Sequence, residues 1–150
     1  MLPAYMTALG TSSSAATIPV TLAQMKKTDI RKDIVEFYVP FGATIHLAGS
    51  TMKIVAMALA ICLLTALPYD FGLFSGFIMM LGIMMVAAPG VPGGAIMASI
   101  GVLQAMLGFD EIAIGLITAL YIAIDSFGTA CNVTGDGAIA LVLNKIADKK

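Results

Sequence analysis

Two carboxylates and an amide stand in a segment apolar enough for a membrane. "AIDSFGTACNVTGDGAIALVLNK", residues 123–145, carries Asp125, Asn132 and Asp136. On a helix, Asp125, Thr129, Asn132 and Asp136 fall at i, i+4, i+7 and i+11, which at about 100° per residue is a single face. Ile124, Phe127, Ala130, Val133 and Leu141 occupy the other faces. A charge at the centre of a bilayer costs about 2.5–3.5 kcal/mol on insertion scales, so each carboxylate needs a partner. Lys53 is the only basic residue within any apolar span. The partners are therefore most simply ligands: a metal cation, a solute ammonium or a proton. The only histidine, His46, reads first as a hydrogen-bonded packing residue, then as a metal ligand, with a protonation site as a further reading.

The rest of the chain must position this seam. Of 150 residues, 59% are hydrophobic and 11% charged, against about 25% charged in soluble domains. Mean hydropathy is +0.98, so lipid is the expected solvent. A net charge of −1 gives nucleic acid no purchase. Cys62 and Cys131 lack metal-ligand spacing and read as small buried hydrophobes. Met1 is followed by neither a basic stretch nor a plain apolar core, so no cleavable leader is expected.

The few charges act as punctuation. Lys26, Lys27, Arg31 and Lys32 form one basic cluster, and Lys145, Lys149 and Lys150 another. Basic loops prefer the cytoplasm, which places loop 26–32 and the C-terminus inside a cell membrane. Asp70 and Asp110–Glu111, with no Lys or Arg beside them, are expected outside.

Segment lengths separate spans from shorter pieces. Residues 33–68 and 112–145 exceed the roughly 20 residues that cross a bilayer. Two shorter arms lie within 71–107 and flank "AAPGVPGG" (87–94), a tip without a charge. Non-helical backbone at membrane depth is tolerated where protein buries it, so this piece reads as a re-entrant hairpin. Residues 1–26 repeat the pattern around "TSSSAA" (11–16). Two such hairpins, entering from opposite faces and each followed by a long span, suggest an inverted repeat with a midplane site. Pro40, Gly42 and Gly49 in "VPFGATIHLAGSTM" (39–52) predict a break in the first long span, with freed carbonyls around 42–50. The expected fold is thus an all-α membrane protein of two re-entrant helical hairpins and two long, broken transmembrane helices.

Taken together, "TSSSAATIPVT" (11–21), "GATIHLAGS" (42–50), "GVPGGAIM" (90–97) and "DSFGTACNVTGD" (125–136) resemble the dicarboxylate/amino acid:cation symporters, which include the glutamate transporters. In order and spacing they look like the family's first hairpin, seventh helix, second hairpin and eighth helix. The resemblance implies the C-terminal half of a transport domain, a transporter rather than an enzyme. Its partners would be scaffold helices encoded upstream, the lipid bilayer and a homotrimeric assembly.

The resemblance also assigns roles. Ser13 and Ser14 would hold the solute carboxylate, Asp125 its ammonium, and Ser50, Thr129 and Asn132 would make polar contacts. Val91 and Gly93 belong to the gating tip. Asp136 would hold Na+ with carbonyls near Gly42, His46 and Asn132. A second Na+ would use backbone around Thr44 and Leu47 with Val86 and Ala88.

Departures from the family pattern refine the expectation. Gly128 stands where glutamate and dicarboxylate transporters carry an Arg, and glycine cannot replace a bidentate carboxylate partner. A small neutral amino acid such as serine, threonine or alanine is therefore expected, with an acidic amino acid or dicarboxylate as the alternative. Ala48 replaces an acidic sodium ligand and His46 an amide. This points to fewer sodium ions, or to a proton taken up at His46. Two further alternatives are an intramembrane aspartyl protease, prompted by Asp70 in "YD" and Asp136 in "GD", and a fragment that does not transport.

Overall fold

The computed structural model describes residues 1–147, so Lys149 and Lys150 of the second basic cluster lie outside the described residues. Among the described residues eight helices follow one another: α1 Leu2–Thr11, α2 Ser14–Met25, α3 Lys32–Ile45, α4 Ala48–Thr65, α5 Phe71–Val86, α6 Gly94–Leu107, α7 Glu111–Ala123 and α8 Asp125–Ala147. No strand occurs among the described residues.

Local chemistry sets most of the boundaries. Asp70 and Asp110 cap α5 and α7, accepting the Leu73 and Ala113 N–H groups at 3.0 and 2.8 Å. Ser13 caps α2 through the Ala16 N–H at 3.1 Å. Each cap satisfies a backbone donor the helix leaves open, worth about 1 kcal/mol. Gly108, at φ 68°, closes α6 in the left-handed region that glycine enters without strain.

Residues 33–68 form two helices that part at His46–Leu47. The helix runs through Pro40 and Gly42 before it stops. The carbonyls expected to be free there have partners: Gly42 O accepts the His46 N–H at 2.8 Å, and Leu47 O accepts the Thr51 N–H at 2.8 Å. Residues 112–145 are not one continuous helix either. Their axis turns by 62° at Ile124, between α7 and α8. Neither Pro nor Gly marks this bend in the sequence. Its physical support is the Lys53 ammonium, which donates to the carbonyls of Tyr121 and Ile124 at 3.4 Å each.

Packing divides into two regions. One apolar core joins α4, α5, α6 and α7 around Phe77, Leu81, Ile96, Leu103 and Ile117. Smaller clusters join α1, α2 and α3 to α8, through Met25, Val35 and Val39 and through Ala4, Ala8, Ala130 and Val133. Helices α4 and α8 connect the regions, and Gly49 makes their approach close. A Cβ at Gly49 would lie 2.7 Å from both Cys131 Cβ and Gly128 O.

The run Lys32–Thr65 is long and apolar enough to cross a membrane, and α7 with α8 meets the same test as a bent pair. Leu64, Phe71 and Ile112 are each at least 80% exposed. Apolar surface of that kind calls for lipid or further protein rather than water.

Candidate functional site

Helices α2, α4, α6 and α8 all begin around one small cavity. Its lining includes Ser14, the first residue of α2, Leu47 and Ser50 at the start of α4, Ala95 in α6 and Asp125, the first residue of α8. Helix N-termini carry partial positive charge and open N–H donors. Four of them around one point favour an anionic group such as a carboxylate through their partial charge, while the Ala15, Ala16 and Gly49 N–H groups already donate to Gly90 O, Ser13 Oγ and Asn132 Oδ1. The cavity holds only about 10 Å³, at the limit for a single water.

The α1–α2 turn and the α5–α6 tip close over it. Ser13 Oγ donates to Gly90 O at 2.9 Å, and the Ala15 N–H donates to the same carbonyl at 3.1 Å. A Cβ on Gly90 would collide with Ala43 O, so only glycine lets the tip settle this deep. Gly93, at φ 72°, turns the chain into α6, and its N–H donates to Asp125 Oδ2 at 2.8 Å.

The four residues of the α8 seam are all buried. Asp125 has the partner that sequence reasoning assigned to a ligand: Lys53 Nζ lies 2.9 Å from Oδ1, and both side chains are at most 8% exposed. The lysine also sits 3.4 Å above the Tyr121 ring. Thr129 Oγ1 donates to Asp125 O at 3.1 Å. Asn132 is committed to α4, its Oδ1 accepting the Gly49 N–H at 2.8 Å and its Nδ2 donating to Ser50 Oγ at 3.0 Å.

One turn deeper, Asp136 Oδ1 lies 2.9 Å from His46 Nδ1. A Cβ on Gly42 would stand 2.7 Å from that same oxygen, so Gly42, His46 and Asp136 converge. No three His, Cys, Asp or Glu side chains come together among the described residues. An ion at Asp136 would therefore rely mainly on neutral oxygens, which suits a hard monovalent cation better than a transition metal.

Of the residues singled out for the solute, Ser14, Ser50, Val91, Asp125, Thr129 and Asn132 line the cavity. Ser13 and Gly93 hold its cover instead. Gly128 faces Lys53, whose Nζ lies 3.2 Å from where a Cβ would be. Side chains do not draw the second cation set together. Thr44 turns its hydroxyl back to Phe41 O at 2.7 Å on an exposed position. Val86 is exposed, Ala88 is buried in the α4–α7 core, and Leu47 lines the small cavity. The two carboxylates of the protease alternative take different partners: Asp70 caps α5 at the surface, and Asp136 is buried against His46.

Sequence reasoning missed Tyr121, noted Lys53 as the only basic residue in a span without pairing it to Asp125, and placed Gly90 in the tip without its contact to Ala43 O. The available signal was spacing: Ser50 and Lys53 stand at i and i+3 on α4, and so share a face.

These features meet a direct match to known proteins. Residues 1–146 match the sodium:dicarboxylate symporter family. The chain belongs to that family. It is similar to excitatory amino acid transporter 5 of Mus musculus, at 31% identity over 150 residues, which is 99% of this chain and 27% of that protein. Excitatory amino acid transporter 3 of Mus musculus is 32% identical over 151 residues, 100% of this chain and 29% of that protein. Excitatory amino acid transporter 1 of Homo sapiens is 29% identical over 148 residues, 98% of this chain and 27% of that protein. The chain thus spans less than a third of the length of these curated relatives. The symporter family is one of transporters, not of enzymes.

Proposed function

We propose that the chain carries the solute- and cation-binding part of a sodium-coupled amino-acid symporter. The observation that carries this reading is the convergence of four helix N-termini on a small cavity whose one buried acid is Asp125. The solute carboxylate meets the N-termini beside Ser14, and the solute ammonium meets Asp125. The gating tip is 90–93, since its Gly93 N–H leaves Asp125 Oδ2 when the tip lifts. Na+ is the coupled cation, with Asp136 as its charged ligand and Gly42 and His46 beside it.

Gly128, which lies beside Lys53 in a neighbouring groove rather than in the cavity lining, offers no cation for an acidic side chain, and on that observation alone the solute is a small neutral amino acid of the serine, threonine or alanine kind. The Lys53 ammonium, 3.2 Å from the position of a Cβ at 128, favours a second reading in which the solute side chain is acidic.

The surroundings fit a multi-pass protein of the cytoplasmic membrane. The Arg31 N–H donates to Asn144 Oδ1 at 3.0 Å, which brings loop 26–32 and the end of α8 to one side of the molecule. That side is the cytoplasmic one by its Lys and Arg content. The exposed apolar faces of α4, α5 and α7 are read as meeting lipid and scaffold helices, in a trimeric assembly implied by the resemblance.

The test is binding of serine and aspartate to purified chain in lipid nanodiscs, with Asp125→Asn as the comparison. Loss of at least tenfold in affinity for both solutes is expected in the variant. Unchanged affinity for both would overturn the assignment of Asp125.

A further inference from the structure

Asp125 and Lys53 already satisfy each other, and this bears on how any solute enters. Each oxygen of the carboxylate has a donor, Lys53 Nζ at 2.9 Å on Oδ1 and the Gly93 N–H at 2.8 Å on Oδ2. The lysine has its own independent support in the Tyr121 and Ile124 carbonyls and the Tyr121 ring. Its ammonium therefore stays anchored when Asp125 turns to another cation. The lysine itself lines a neighbouring groove with Gly128 and Phe127, and it is joined to the cavity by Tyr121, whose ring it covers, and by Asp125, both of which line the cavity.

We propose that Lys53 is a specificity-determining residue: it neutralises Asp125 in the empty site, and when a solute ammonium takes Asp125 it becomes the partner of an anionic group on the solute side chain. The proposal rests on the reading of Asp125 as the ammonium partner and deepens it.

Charge balance is the reason. A solute ammonium that displaces Lys53 leaves a second buried cation, and removing one partner of a buried pair is strongly unfavourable. A neutral side chain offers that cation nothing. A side-chain carboxylate pairs with it, so both buried charges are matched before and after binding. Gly128 leaves the ammonium room, since a Cβ there would stand 3.2 Å from Nζ and the lysine would have to give way. The cation comes from α4, and α8 contributes only the space.

The experiment compares serine and aspartate binding, in sodium, to wild-type chain, Lys53→Met and Lys53→Arg in nanodiscs. Wild type is expected to bind aspartate at least tenfold more tightly than serine. Lys53→Met should lose that preference and bind serine as well as wild type or better, while Lys53→Arg should keep the preference for aspartate. Lys53→Gln, which still donates a hydrogen bond to Asp125, replaces the methionine variant if that fails to fold. An equal loss for both solutes in Lys53→Met would mark the ion pair as structural, overturning the proposal while leaving the amino-acid reading intact. Wild-type chain that binds neither solute would overturn both.

Discussion

Gly49→Ala tests whether α4 and α8 cross as closely as the site requires. The new methyl would lie 2.7 Å from Cys131 Cβ and from Gly128 O, where ordinary contact begins at 3.4 Å. Neither neighbour is the end of a flexible side chain, so the two helices must separate by about 0.7 Å. That movement stretches the 2.8 Å bond from the Gly49 N–H to Asn132 Oδ1 and with it the link between seam and cavity wall. Overpacking costs about 1–3 kcal/mol, and the lost hydrogen bond about 0.5–1.5 kcal/mol. Better helix propensity returns less than about 1 kcal/mol. The net loss is about 2 kcal/mol, or about 4–8 °C in melting temperature for a chain of this size. The assay is thermal unfolding in detergent, followed by loss of monodisperse protein on size exclusion. Gly101→Ala is the control, since Gly101 is exposed in α6 with nothing within 4 Å of its would-be Cβ. It should be stabilising by about 0.5–1 kcal/mol. Equal melting of the two variants would refute the close crossing.

Two further predictions address cation and cover. Asp136→Asn should raise the sodium concentration for half-maximal amino-acid binding at least tenfold while leaving binding at saturating sodium in place, as read by titration. An unmoved midpoint would remove Asp136 from the cation site. Ser13→Ala removes both the α2 cap and the 2.9 Å bond to Gly90 O. Amide hydrogen exchange across 87–94 should accelerate, and exchange equal to wild type would show that the serine does not hold the tip.

What the sequence made legible, and what it hid, follows from the range of each interaction. The α8 seam was legible because four polar residues at helical spacing in an apolar run report one buried face, and all four are buried. The caps at Asp70 and Asp110 were visible as interruptions, though their work as local acceptors was not. The bend at Ile124 left no trace because it is stabilised by Lys53, 71 positions away, rather than by a local helix breaker. The same distance hid the Lys53–Asp125 pair, so the expectation that Asp125 must await a ligand was incomplete. The argument from Gly128 suffered likewise. An empty position on one helix says nothing of a cation delivered from another.

The most direct test of the central claim is isothermal calorimetry on the full chain in nanodiscs, titrated with serine, alanine, threonine and aspartate in sodium and again in an impermeant organic cation. Saturable heat from at least one amino acid in sodium, and none without it, is the predicted result. Amino-acid binding of equal strength in both media, or no heat in either, would contradict a sodium-coupled amino-acid site in this chain.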